Sequence, residues 1–234
     1  MNKRLVLLKL TGTIFCEPKT CKLTRLFADQ LAQQLVQLHD RYLFGVVVGG
    51  GDFFRGNEHN GTLKIRPCIA HTVGMFGTVM NGLMLYDIFR AHGLQTTLLS
   101  ALDCAQAGTP ISQQAIDRAL EEQSTLIFSG GTASPYVSTD TSAIMRALQM
   151  GAFQVWKASN IDGVYTDSPT NNPQAQKLAH ISYQDVIARQ LAFIDHTAII
   201  LAQQNNLPIR VFDIFAPNAL IKAVDDPQHG SLIS

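Results

Sequence analysis

The sequence predicts an α/β protein of three layers, with helices on both faces of a mainly parallel central sheet. Three observations carry this. Short apolar runs bounded by glycine alternate with helical patterns along all 234 residues, as expected of strands covered on both faces. The succession is strand then helix throughout, which right-handed crossovers fold into a covered sheet. Glycine-rich turns stand at the carboxyl ends of predicted strands, where open parallel sheets bind their ligands. No composition break, low-complexity run or internal repeat interrupts the pattern, so one domain over residues 1–234 is expected.

Leu5 to Leu10 is a strand that runs into Thr11-Gly12-Thr13. Leu23 to His39 then sets Leu26, Phe27, Leu31, Leu35 and Leu38 at helical spacing. Phe44 to Val48 is a second strand and delivers Gly49-Gly50-Gly51. Residues 73–92 hold Met75, Val79, Leu83, Tyr86 and Phe89 three or four apart, a helix that Gly93 ends. Thr96 to Ser100 is a strand, Ser112 to Glu122 a short helix, and Thr125 to Phe128 a strand opening onto Gly130-Gly131. Thr139 to Met150 is helical, Ala152 to Lys157 a strand, and Ser182 to Arg189 and Asp195 to Asn205 two more helices. Ile209 to Phe212 is expected to close the sheet, before a small helix near Asn218 to Val224. The stretch from about 157 to 185, with Asp162, Asp167, Pro169 and Pro173, reads as a lid-like excursion or simply a loop.

A chain 46% hydrophobic and 15% charged has an ordinary globular composition, with length enough for a large core. Lysine plus arginine and aspartate plus glutamate both number 18, so no net field draws the chain to nucleic acid or a membrane surface. Any phosphate site must therefore be local. Cys16, Cys21, Cys68 and Cys104 have neither the paired spacing of a zinc site nor the density of a disulfide scaffold, which suits reduced thiols in a cytoplasmic protein. The N-terminus is basic and then apolar, but Lys9 interrupts the run and no small-residue cleavage site follows, favouring a first strand over a signal peptide. No later segment reads as the roughly 18 apolar residues of a bilayer span.

Four constellations point to chemistry, each with a plainer alternative. Gly49-Gly50-Gly51 follows a strand, and Arg55 offers a forked cation beside it. This is either a tight turn or a place where backbone N–H groups approach an anion, and it is neither a Walker loop nor a G-x-G-x-x-G. Lys9, at a strand end before Thr11-Gly12, is either an edge residue reaching solvent or a cation on the ligand rim. The loop from Gly130 to Asp140 offers hydroxyls at Thr132, Ser134, Ser138 and Thr139. There Thr139 or Asp140 caps a helix whose N-terminus also suits a phosphate. Lys157, Asp162-Gly163 and Tyr165 suit a second cation, a carboxylate and an adenine-facing aromatic, or an ordinary turn with an exposed lysine. The seven histidines, His59, His71 and His196 among them, have no spacing that specifies a metal.

Six blocks in this order, L-L-K-L-T-G-T at 7–13, V-V-V-G-G-G-D-F-F-R-G at 46–56, V-G-M-F-G-T-V-M-N-G-L at 73–83, the 130–140 loop, K-A-S-N-I-D-G-V-Y at 157–165 and L-P-I-R-V-F at 207–212, resemble the bacterial uridylate kinases of the amino acid kinase superfamily. The resemblance covers essentially the whole chain. It implies a three-layer α/β domain, assembly as a homohexamer, and transfer of a phosphoryl group from ATP with Mg²⁺ to UMP. It further implies that Lys9, Leu10, Thr11, Gly12, Gly51, Arg55, Ser159, Tyr165 and Ser168 meet ATP. Gly50, His71, Thr132, Ala133, Ser134, Pro135, Tyr136, Val137, Ser138 and Thr139 would meet UMP. Lys9, Arg55, Asp140, Lys157 and Asp162 would organise the reacting phosphates.

The sequence also departs from that pattern. Thr13 stands where the family has glutamate, His71 where an aspartate holds the UMP ribose, and Ser168 where another aspartate lies beside Asp167. Ala133 and Ser134 replace a glycine and an asparagine in the 130–140 loop. A methyl at Ala133 resists a positive φ, and an imidazole cannot accept two hydroxyls as a carboxylate does. Two other readings follow from these changes: a non-catalytic nucleotide- or oxyanion-binding relative, as in molybdenum storage proteins, and a kinase of another small acceptor such as a carboxylate or carbamate.

Overall fold

The computed structural model describes residues 3–16, 23–51, 53–54, 64–167, 169 and 171–234. Arg55 and Ser168, both expected at the site, lie outside them. The strands among the described residues are β1 (Arg4–Leu10), β2 (Tyr42–Val48), β3 (Thr96–Ser100), β4 (Thr109–Pro110), β5 (Thr125–Ser129), β6 (Gln154–Ser159), β7 (Val164–Tyr165), β8 (Lys177–Leu178), β9 (His180–Ile181), β10 (Ile209–Asp213) and β11 (Ser231–Ile233). Nine of them form one sheet in the order β4-β3-β5-β2-β1-β6-β10-β11-β9, while β7 and β8 pair as a separate antiparallel ribbon. Only β10 and β11 are antiparallel neighbours in the main sheet.

The helices are α1 (Leu26–Leu38), α2 (Pro67–Ala91), α3 (Gln113–Glu121), α4 (Thr139–Met150), α5 (Tyr183–Ala188), α6 (His196–Gln204) and α7 (Ala219–Asp225). Side-chain alternation along the strands sorts residues into two cores. Val6, Leu8, Leu10, Phe44, Trp156 and Phe212 pack toward α1, α2 and α7. Leu7, Val47, Phe128, Val155 and Val211 pack toward α3, α4, α5 and α6. Trp156 is 2% exposed and is ringed by Tyr42, Phe44 and Phe212 at centroid distances of 6.1, 6.0 and 6.0 Å. The layers are therefore helix, sheet, helix, as the sequence predicts.

Local chemistry explains most element ends. Ser112, Ser182 and Asp195 each accept an N–H from three residues on, which caps α3, α5 and α6. Gly151 ends α4 in the left-handed region at φ 68°.

Three expectations need correction. Helix α2 starts at Pro67 rather than near 73, because its apolar residues surround the axis and periodicity does not mark the start, whereas proline suits a first turn. By length and composition alone it could also cross a bilayer, with 25 residues and an 18-residue stretch of mean hydropathy 1.3, contrary to the sequence expectation. One side of it, through Ala70, Val79, Leu85 and Phe89, is buried, with Leu85 and Phe89 in the core that the sheet shares. Finally, Ile209–Asp213 does not close the sheet. The short strands β11 and β9 extend it, and they are too brief to show alternation.

Candidate active site

β1 lies between β2 and β6, so Lys9 stands near the sheet's middle and not on an edge. In the parallel register of β1 and β6, Lys9 and Lys157 are direct partners. Alternation sends them to the layer occupied by Leu7 and Val155, which is the layer of α4. There Asp140, in the first turn of α4, bridges the two. Its Oδ1 accepts from Lys9 Nζ at 3.0 Å and from Lys157 Nζ at 2.7 Å, and its Oδ2 lies 2.8 Å from Lys157 Nζ. The Lys157 side chain is only 8% exposed, which removes the reading of an ordinary surface lysine.

One carboxylate between two ammonium groups leaves one positive charge in excess, beside a helix N-terminus that adds partial positive charge of its own. Burial pushes the Lys157 ammonium down to about 8, helped by the neighbouring Lys9 charge and opposed by Asp140. For Asp140, burial works to raise the carboxyl, but Lys9 and Lys157 override it and hold it below the usual range. The carboxylate thus stays ionised, and the cluster is built to receive an anion.

Ser138, rather than Thr139 or Asp140, caps α4: its Oγ accepts the Thr141 N–H at 3.1 Å. That leaves the Asp140 carboxylate for the lysines. The Ser138 hydroxyl donates to Asp195, and Thr141 Oγ1 donates to Asp195 Oδ1 at 3.0 Å. Asp195 also accepts the Ala198 N–H at 2.9 Å, so one carboxylate ties the start of α4 to the start of α6.

Behind the lysines the Thr11-Gly12 turn packs backbone to backbone on Gly49-Gly50-Gly51. A Cβ on Gly12 would collide with the Gly51 nitrogen, and one on Gly50 would stand 2.6 Å from the Gly74 carbonyl oxygen. Close approach, not a left-handed φ, is what these glycines supply. Asn81 Nδ2 donates to the Gly49 carbonyl at 2.7 Å and so pins this junction to α2.

A cavity of about 330 Å³ opens in front of it, lined by Gly50, Gly51, His71, Thr78, Gly131 and residues 136–139. The His71 and Tyr136 rings lie against each other there, centroids 4.8 Å apart. A second cavity, about 460 Å³, is lined by Tyr165, Asp167, Arg189, Gln190 and Phe193 among others. A third concavity joins Asp140 to Gln190, Ala192 and Phe193. Lining thus runs from Thr139 through Asp140 to Tyr165, with the charged cluster between two cavities.

The model of the Amino acid kinase family matches residues 4–213. The chain belongs to the amino acid kinase family. Among curated relatives of this family member, "Uridylate kinase" of Mycoplasma genitalium is 37% identical over 94% of this chain and 91% of its own length. "Uridylate kinase" of Mycoplasma pneumoniae is 37% identical, covering 97% of each chain. The crystal structure of UMP kinase from Ureaplasma parvum superposes with a TM-score of 0.94 at 30% identity, covering all of both chains.

In this amino acid kinase chain, not every expected site residue joins the cluster. Asp162, 59% exposed, accepts from the Tyr165 hydroxyl at 2.8 Å and from Lys177 at 3.2 Å. These bonds hold it in the turn, outside the cluster of Lys9, Asp140 and Lys157. Tyr136, Val137, Ser138 and Thr139 line the first cavity, whereas Thr132, Ala133, Ser134 and Pro135 form the outer part of the loop. Leu10 is wholly buried, which leaves its main chain for contacts, and Ser159 Oγ donates to Asn160 at 3.3 Å.

Sequence reasoning missed four supports: Thr78, Asn81, Arg146 and Asp195. Thr78 and Asn81 carried a signal, being polar residues on an otherwise apolar helix. Asp195 was legible only as a helix start, and Arg146 gave no signal because an arginine on a helix normally faces solvent.

Proposed function

We propose that this chain is a UMP kinase, transferring the γ-phosphoryl group of ATP to UMP to give UDP and ADP in pyrimidine nucleotide biosynthesis. One observation carries the reading: Lys9, Asp140 and Lys157 form a nearly buried, net positive cluster whose Asp140 adjoins Thr139 of the first cavity and lines a concavity that shares Gln190, Ala192 and Phe193 with the second. The acceptor is already an anionic phosphate, so no strong general base is required. The protein's task is to align two anions and neutralise charge as the phosphoryl group passes in line between them.

ATP lies on the Tyr165 side, with its phosphates over Lys9, the main chain of Leu10, Thr11 and Gly12, and Gly51. UMP fills the cavity of Gly50, His71 and residues 136–139, its phosphate at the N-terminus of α4. Arg55, outside the described residues, would supply a further cation to the phosphates, and Asp162 would act from the turn beside Tyr165. Among the described residues no three His, Cys, Asp or Glu side chains group to hold a metal, and Asp140 is occupied by lysines. This donor set suits a Mg²⁺ ion that arrives on the ATP phosphates, where it would screen their charge. Neither the non-catalytic reading nor another acceptor is favoured by the named relatives.

The whole chain is one domain of a cytoplasmic homohexamer. Its support is a stripe on α2: Ile69, Val73, Phe76, Met80 and Leu83 recur every three or four residues and are 42%, 40%, 48%, 43% and 39% exposed. Such a row needs an apolar partner, and a second copy of α2 supplies one. Sedimentation velocity checks this: a mass of six chains is expected, and a stable monomer would refute the assembly.

A coupled assay with ATP and Mg²⁺ against UMP, CMP, dTMP, AMP and GMP tests the activity. UDP should form with turnover on the order of 1–100 per second, well ahead of the other acceptors. Binding of ATP with no turnover of any acceptor would sink the proposal.

A further inference from the structure

The loop that borders the acceptor cavity is held in an unfavourable backbone course. Gly130, Gly131, Ala133 and Tyr136 have φ of 74°, 59°, 59° and 69°, and each non-glycine residue in that region costs about 1–2 kcal/mol. Such a course persists only where the surroundings enforce it. On one side Thr78 Oγ1 accepts the Gly130 N–H at 2.8 Å. On the other, Arg146 of α4 donates from Nη2 to the Gly131 carbonyl at 3.3 Å and from Nη1 to Gln149 Oε1 at 2.6 Å.

Arg146 is an unusual tether. It is 6% exposed, its Nε is buried with no hydrogen-bond partner among the described residues, and its two hydrogen-bond acceptors, Gly131 O and Gln149 Oε1, are neutral. Burial pulls the guanidinium below its ordinary value. A buried cation without a carboxylate is costly unless an anion comes close. A neutral side chain of similar length would pack there more cheaply if structure were its only task.

We infer that Arg146 is a positioning residue for the phosphate acceptor: through the Gly131 carbonyl it holds the 130–136 loop in its left-handed course, and its uncompensated charge favours an anion in the cavity that Gly131 lines. The inference rests on the UMP kinase reading. Arg146 does not line the cavity itself, so it acts through Gly131 and through its field, not by touching substrate.

The test compares wild type with Arg146→Met, which removes charge and fork, and Arg146→Lys, which keeps charge but cannot span Gln149 and Gly131 together. In Arg146→Met the KM for UMP should rise about 30-fold or more while the KM for ATP stays within twofold. Arg146→Lys should fall between it and wild type. A purely structural arginine would move both KM values together. If Arg146→Met does not fold, Arg146→Lys decides alone. A rise in its KM for UMP of less than threefold, or an equal rise for ATP, overturns the inference. Wild-type turnover of UMP is measured first: its absence overturns the parent reading and this inference together, whereas normal wild-type turnover with unmoved variants overturns the inference only.

Discussion

The lysine cluster and the 130–136 loop border the same reaction, yet they are held in opposite ways. Lys9 and Lys157 stand on adjacent central strands, and their meeting is fixed by parallel register. The loop has no ladder; Gly130 and Gly131 are held by single hydrogen bonds to Thr78 and Arg146, and the Ala133 N–H donates to the Gly130 carbonyl at 3.1 Å. A group whose position follows from the sheet can be preorganised to a fraction of an ångström, which charge stabilisation demands. A loop held by a few side chains can be re-aimed by few substitutions. It follows that the phosphoryl-transfer machinery is hard to alter without abolishing activity, whereas the acceptor side is tunable, and most of the departures from the family pattern, at His71, Ala133 and Ser134, fall there.

The contrast can be broken at several points. The largest effect is expected from Lys9→Ala, which should lower kcat about 10³-fold or more by removing a cation from the transferring group. The folded state should survive, as judged by an unchanged far-ultraviolet circular dichroism spectrum. Asp140→Ala leaves two ammonium groups side by side without their carboxylate. Urea unfolding should show a loss of about 3–5 kcal/mol, the cost of breaking a buried pair, along with a fall in turnover.

The next effect is one of pH. Lys157 titrates near 8 in the free protein, charged below that value and neutral above it. A plot of kcat/KM should therefore decline above pH about 8, approaching tenfold per unit. The limb belongs to Lys9, Asp140 and Lys157 as a coupled unit. In kcat at saturating ATP it should move to higher pH, because nearby phosphates favour the charged lysine. A flat profile to pH 10 would show that Lys157 does not supply the charge.

Smaller effects sharpen the comparison on the loop side. Ser138→Ala removes both the cap of α4 and the donor to Asp195, so a loss of about 1–2 kcal/mol is expected in chemical unfolding. Ala133→Gly acts in the other direction. Relief of a left-handed alanine, less the extra freedom gained by the unfolded chain, should stabilise by about 0.5–1 kcal/mol, seen as a rise in Tm of about 1–4 °C.

How far the sequence discloses these features follows from what fixes each one. The order of the helices and of the six longer strands was legible because apolar periodicity and capping residues are local. Lys9 and Lys157 were legible as strand-end cations, but not their pairing, since register is a long-range property. Asp162 was legible as a turn aspartate near a ligand site, but not its contacts, since Tyr165 and Lys177 come together only through the β7–β8 ribbon. Arg146 and Asp195 were invisible for the same reason, because a burial that depends on a distant loop or a second helix leaves no mark in local sequence. Ala133 shows the reverse. A methyl group at a position suited to glycine resists positive φ, and the chain adopts φ 59° there nonetheless, with the Ala133 N–H donating to the Gly130 carbonyl at 3.1 Å.

Trp156 precedes Lys157 in the chain and points the opposite way, into the core shared by α1, α2 and α7. It is the only tryptophan among the 234 residues. Its emission is therefore a spectroscopic probe of that far layer: blue-shifted in the native protein, poorly quenched by acrylamide, and little changed when nucleotides fill the two cavities. Fluorescence will follow the collapse of the fold faithfully and overlook binding one residue away, so titrations of ATP and UMP call for calorimetry or a label placed on the Lys157 side of the sheet.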